Sequence, residues 1–173
     1  VWEDYRHGLG EIYSHDLATG EETRLTVDIT NQFRPAASGS VVVWTDQRDG
    51  NQEIYRQGGS TEQRLTYGSG DRSQASVHDS LLVYADTSAG ASDPNLGFLD
   101  LTGGSGGLLS SHPARQEEPA AGDGVVAWQD DRDGTPQIYM AALTLTPLPV
   151  SVDLAPGFNL VAAGQLLVDS YAS

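Results

Sequence analysis

Asp4 and Arg6, Asp46 and Arg48, and Asp130 and Arg132 each follow a tryptophan at the same spacing, the tryptophans being Trp2, Trp44 and Trp128. Side chains alternate along a strand, so Trp, Asp and Arg at this spacing emerge on one side of it. An Asp–Arg pair so placed can lie either between repeated structural units or within one, and its carboxylate can also bond turn amides. A further occurrence, Tyr84, Asp86 and Ser88, keeps the aromatic and the acid but has lost the arginine. The other chemistry open to these acids is calcium binding, with Asp123, Asp130, Asp131 and Asp133 as the candidate ligands. Calcium takes about six to eight oxygens, and carboxylates clustered on a turn could supply some of them. The interleaved Arg132 and the lack of EF-hand spacing weigh against calcium, so the structural Asp–Arg reading is preferred and no cofactor is expected.

His7, His15, His78 and His112 show neither helical pairing nor zinc-ligand spacing and read as loop residues. The absence of cysteine excludes disulfides and thiolate metal sites. There is no Gly-x-Ser-x-Gly elbow and no phosphate-binding glycine loop, and the glycine-rich stretch 101–111 reads as a flexible hairpin loop. Carboxylates are too numerous for one pair to stand out as a glycosidase dyad. No catalytic residue is assigned. Tyr13, Tyr55 and Tyr139 recur at one repeat position and read as core.

The elements that hold these residues repeat. Trp2, Trp44, Tyr84 and Trp128 are spaced by 42, 40 and 44 residues, within the roughly 40–45 of a four-stranded propeller blade. The second copy predicts strands over 33–38, 41–46, 53–57 and 62–66, with turn residues between them. The apolar run Val41–Trp44 suits a strand sandwiched between neighbouring sheets. Small-residue strands at 34–39, 74–79, 118–123 and 159–164 suit the crowded inner edge of a blade. Arg24–Leu25–Thr26 and Arg64–Leu65–Thr66 mark the outer strand, weakening to Leu108–Ser110 and then to Leu148–Val152. Asp49–Gly50 and Asp133–Gly134 are hairpin dipeptides, since glycine accepts positive φ. The chain therefore reads as all-β, a β-propeller of about four four-stranded antiparallel blades that could belong to a larger propeller. The repeats run approximately 1–32, 33–72, 73–116 and 117–158, with a partial repeat at 159–173 in which Leu166–Val168 is a fifth apolar strand.

The 173 residues carry nine basic and 24 acidic side chains, a net charge of −15 that repels nucleic acid and anionic membrane surfaces. No apolar stretch approaches the roughly 18 residues of a membrane-spanning helix. The chain opens at Val1 inside a strand pattern, without an initiator methionine, so a segment upstream is expected to have been removed, to be disordered or to have been left out.

Residues 24–55, RLTVDITNQFRPAASGSVVVWTDQRDGNQEIY, resemble the repeat of TolB-like β-propellers: an RLT strand, a proline-containing inner strand, an apolar strand and a D-R-G-IY segment in succession. The resemblance covers nearly the whole chain. The family's inner-strand Ser-Pro-Asp-Gly is replaced by Ala37–Ser40 and by Ala121–Gly124, which marks a divergent branch. The resemblance implies a periplasmic or extracellular, non-catalytic module that binds a protein partner, as an accessory subunit of a larger assembly. The alternatives are the gating or accessory propeller of a hydrolase or peptidase, and a carbohydrate-binding propeller.

Overall fold

Strands that are apolar on both faces need a sheet on each side, and four stacked sheets provide this. The computed structural model describes residues 1–88, 93–110, 112–144 and 167–170. Among them are fifteen strands and no helix. The first sheet holds β1 (Trp2–Asp4), β2 (Glu11–His15) and β3 (Glu22–Arg24). The second holds β4 (Gln32–Ser38), β5 (Val41–Asp46), β6 (Glu53–Gly58) and β7 (Thr61–Arg64). The third holds β8 (Arg72–His78), β9 (Leu81–Asp86), β10 (Asn95–Asp100) and β11 (Gly106–Ser110). The fourth holds β12 (Gln116–Gly122), β13 (Val125–Asp130), β14 (Gln137–Thr144) and β15 (Leu167–Ser170). Each sheet is an antiparallel meander in chain order, as expected of successive blades.

The core lies between the blades. Ile12 of β2 shares a buried cluster with Trp44 of the next blade, Ile54 of β6 with Leu82 and Tyr84, and Leu96 of β10 with Val126 and Trp128. Backbone bonds repeat the same junction: the N–H groups of Gln32, Arg72 and Gln116 donate to the carbonyls of Gly10, Gln52 and Pro94 at 2.8, 2.8 and 2.9 Å. The small inner strands let side chains reach across. Ser38 Oγ accepts the Asp79 N–H at 2.9 Å and Ser76 Oγ accepts the Ala121 N–H at 3.0 Å.

Three details depart from the sequence pattern. The inner strands are bulged, with register shifts between Phe33 and Ala36, Ser73 and Ser76, and Glu117 and Ala120. Arg34, Gln74 and Glu118 take left-handed φ values of 51°, 56° and 50° inside these bulges. Gly106 and Gly107, read as loop, lie in β11. Leu167–Ser170 pairs with β14 as the outermost strand of the fourth sheet, a place the pattern gave to Leu148–Val152. Residues 148–152 and the fifth inner strand at 159–164 lie outside the described residues.

Candidate functional site

Trp44, Asp46, Arg48 and Tyr55 close the hairpin between β5 and β6 as one cluster. Trp44 Nε1 donates to Asp46 Oδ2 at 3.1 Å, and the Arg48 guanidinium reaches the same oxygen at 2.6 Å. The Arg48 N–H donates to Asp46 Oδ1 at 2.9 Å, which holds the turn. Trp44 stacks on its cross-strand partner Tyr55 with ring centroids 6.4 Å apart, and the Arg48 guanidinium lies 4.5 Å from the Tyr55 ring centroid. Such stacked and cation–π pairs each contribute about 0.5–1.5 kcal/mol. Arg48 ends on Glu62 at 2.5 Å, tying the hairpin to the blade's outer strand. Tyr55 hydroxyl donates to Asp49 Oδ2 at 2.5 Å, and this bond adds to burial in pushing the phenol upward.

The cluster recurs around Trp2, Asp4, Arg6 and Tyr13, and around Trp128, Asp130, Arg132 and Tyr139, with the same Trp–Asp and Arg–Asp bonds and the same arginine over the tyrosine ring. The Asp–Arg pairs thus act within blades, as one of the two arrangements read from the sequence. In the third blade Asp86 keeps the turn bond, accepting the Ser88 N–H at 2.7 Å. Its lost arginine is replaced from another strand by Arg72, which stands in the register position of Gln32 and Gln116. Buried Arg72 contacts Asp86 at 3.6 Å and Glu53 of the preceding blade at 3.3 Å, locking two blades together.

Gly97 faces Tyr84 where the other copies have tyrosine. A Cβ there would lie 2.4 Å from the Tyr84 ring, so the Tyr84 side chain occupies the space that the missing tyrosine leaves. Gly97→Ala is expected to destabilise the protein by about 1–3 kcal/mol through overpacking. Urea unfolding checks this, and adding Tyr84→Leu should return part of the loss.

The RLT–EIY pattern also has a physical basis. Glu53, fully buried, receives Arg64 at 2.8 Å and the Thr66 hydroxyl at 2.5 Å, while Thr66 Oγ1 accepts the Ile54 N–H at 2.8 Å. In the first blade Glu11 likewise pairs with Arg24 and Thr26 Oγ1 accepts the Ile12 N–H at 2.9 Å, but Glu11 Oε2 takes no bond from Thr26. The outer strands end at Arg24 and Arg64, so Leu–Thr belongs to the turn toward the next blade. The third blade has Leu108 and Asn95 in place of Arg and Glu, so both members of the ion pair are absent together.

The four calcium candidates are not assembled. Asp123 lies in the turn before β13 and Asp130 at its far end, on the order of 20 Å away at ~3.3 Å per residue. The Asp130 carboxylate is filled by Trp128, Arg132, the Arg132 N–H and Gln116 Nε2, and Asp133 accepts the Tyr139 hydroxyl. Among the described residues no three carboxylates or histidines group around a common point. His7 takes the repeat position of Asp49 and Asp133, and His7, His15 and His112 are exposed; His15 and His78, read as loop residues, instead close the strands β2 and β8, where they pair with Glu22 and Leu81.

Burial pushes the Asp130 carboxyl up, but the bonds from Arg132 and Trp128 outweigh it and hold the group down at about 2, against an ordinary 3.8. A depressed folded-state value means that the ionised carboxylate stabilises the fold fully above pH ~4 and loses that effect as pH falls through ~2. The stability gap between wild type and Asp130→Asn is therefore expected to be constant from pH 7 to about 4 and to shrink between about 4 and 2. Chemical unfolding at a series of pH values reads this out. A gap independent of pH would contradict the bond pattern.

Sequence reasoning missed a cleft at the rim where the first three blades meet. It is lined by Leu9, Ile29, Asn31, Gln47, Asn51 and Asp71 among others. Tyr5, Val27 and Ile29 are exposed in the same loops, at 61%, 71% and 89%. These apolar residues interrupt polar turns, the one signal by which the sequence marks them.

No family model and no curated protein matches the chain. Among solved structures it is similar to TolB from Acinetobacter baumannii, at 21% identity and TM-score 0.62, over 80% of this chain and 36% of that one. It is similar to a putative TolB from Agrobacterium tumefaciens at 15% identity and TM-score 0.66, over 81% of this chain and 56% of the other. The β-propeller domain of the Trilobed protease from Pyrococcus furiosus matches at 13% identity and TM-score 0.59, over 76% and 41%. The chain thus spans between about a third and just over half of these neighbours' length. Its successive meanders, packed third strand against second strand, are the blades of a β-propeller, the fold it shares with TolB.

Proposed function

We propose that the chain is a non-catalytic protein-interaction module of TolB-like propeller type, an accessory part of a larger extracytoplasmic assembly. The observation that carries this reading is the rim cleft, where Leu9 and Ile29 present apolar surface beside Tyr5 and Val27. Exposed apolar residues grouped at a loop rim favour a protein partner. The repeated Asp–Arg clusters are taken up by bonds within their own blades and leave the rim to do the binding. The net charge of −15 favours a protein over nucleic acid or an anionic membrane. The extracytoplasmic placement is supported by the resemblance of the repeat to TolB-like propellers.

The test is capture of a partner by the tagged chain under mild salt, followed by reconstitution with the purified partner. Val27→Asp with Ile29→Asp is expected to weaken that complex at least tenfold without changing thermal stability, because the two side chains are 71% and 89% exposed. Absence of any stable partner, or a complex indifferent to the double substitution, would overturn the reading. A second reading, the accessory or gating propeller of a hydrolase, is favoured by the likeness to a protease's propeller domain. It would show as a native polypeptide well above 18.4 kDa that carries a hydrolase domain.

A further inference from the structure

The nine basic residues of the chain are all arginines, set against 24 acids. Among the described residues Arg56 alone of the nine has no carboxylate within salt-bridge reach. Its side chain is half-buried. The one bond it makes runs from Nε to Oε1 of its cross-strand partner Gln63, at 2.8 Å. That bond orients the guanidinium and leaves both Nη groups open. A partly buried charge is costly without a partner, and the terminal fork of an arginine matches a carboxylate.

Arg56 follows Ile54 by two residues, on the side of β6 that faces the third blade. Its counterpart Phe98 is buried in the next junction. Where Phe98 closes that junction, Arg56 borders a cleft of about 250 Å³ between the second and third blades. Leu65, Leu99 and Leu101 make its apolar side, packed on the core of the same junction. Tyr67 stands at the edge, 67% exposed, its ring centroid 4.6 Å from the Arg64 guanidinium and its hydroxyl donating to the Arg64 carbonyl at 3.1 Å. The only acid in the lining, Asp100, is taken up by its own turn: Oδ1 accepts the Thr102 N–H at 2.9 Å and the Thr102 hydroxyl at 2.7 Å. Both blades have four described strands, and none of the lining residues belongs to the first or the fourth sheet.

Beyond the partner binding proposed above, and at a cleft that shares no residue with the rim, we propose that the chain binds an apolar monocarboxylate, its carboxylate on the Arg56 fork and its apolar body on the three leucines. A single charge is favoured over a phosphate or a dicarboxylate, because the net charge of −15 and the neighbouring Asp100 repel further negative charge. The cleft holds a group the size of one amino-acid residue, so a free small acid and the last residue of a polypeptide present it with the same chemistry.

NMR titration of the whole chain with N-acetyl-L-leucine, against its uncharged amide, tests this. The acid is expected to shift the backbone N–H signals of Arg56, Leu65, Leu99 and Leu101. The uncharged amide is expected to bind about tenfold more weakly, the loss of a charge-assisted hydrogen bond. Arg56→Gln should retain the wild-type thermal stability and bind the two compounds alike. Arg56→Lys keeps the charge without the fork and should fall between. Arg115→Gln removes the same charge elsewhere and should bind as the wild type does. A short peptide ending in leucine with a free carboxylate identifies the source: tighter binding than the single residue assigns the cleft to a polypeptide end, equal binding to a free acid. Failure of the acid to bind, equal binding of its amide by the wild type, or a preference for the acid that survives Arg56→Gln would overturn the proposal.

Discussion

Glu53→Ala is expected to destabilise the protein by about 3–5 kcal/mol, because removing one partner of a buried ion pair strands the other. Glu53 is fully buried and joins three elements: Arg64 of its own outer strand, the Thr66 hydroxyl and Arg72 of the next blade. Arg72 is itself only 7% exposed and would be left with Asp86 at 3.6 Å. Urea unfolding measures the loss. The equivalent Glu11→Ala should cost less, since its partner Arg24 is about a third exposed and keeps water. The blade junctions on either side carry Gln32 and Gln116 in place of Arg72. Adding Arg72→Gln to Glu53→Gln is therefore expected to restore part of the stability that Glu53→Gln alone loses. Additive losses would mean that Glu53 and Arg72 do not act as a pair.

Trp44→Ala is the other large loss, about 3–5 kcal/mol for emptying a fully buried aromatic site. Trp44 fills the junction with Ile12, stacks on Tyr55 and gives its indole N–H to Asp46. Trp2→Ala should cost distinctly less, because Trp2 makes the same hydrogen bond and stack but has no blade over it among the described residues. Equal losses at the two positions would locate the stabilisation in the hairpin cluster and not in the junction between blades.

Much of this fold could be read before any coordinates. The aromatic period, the Asp–Gly hairpins and the small-residue strands are local features, and each found its place among the described residues, with 159–164 lying outside them. The side shared by Trp, Asp and Arg also followed from strand alternation. What escaped was what depends on a second strand or a second blade. Serine at position 88 revealed a missing arginine, but nothing local showed that Arg72 would supply it from the inner strand. The left-handed bulges at Arg34, Gln74 and Glu118 fall on three different residue types, none of them glycine, and so left no compositional mark. Gly97 is different. The repeat puts it where Tyr13, Tyr55 and Tyr139 stand, and its pairing with the tyrosine that replaces tryptophan at position 84 was open to inference. The calcium candidates grouped in sequence but separated in space because a whole strand lies between Asp123 and Asp130. The rim cleft assembles from loops of three blades, a convergence that follows only from the stacking.

The central claim is that each blade buries the third strand of the one before it and that, among the described residues, the fourth blade's row is left open. Because the chain has no cysteine, single cysteines at positions 12, 54, 96 and 138 can each be probed with a thiol reagent in dilute protein. Labelling is expected to be fast at 138 and slow, limited by opening of the fold, at 12, 54 and 96. Equal protection at all four positions, or free labelling at 54, would contradict it.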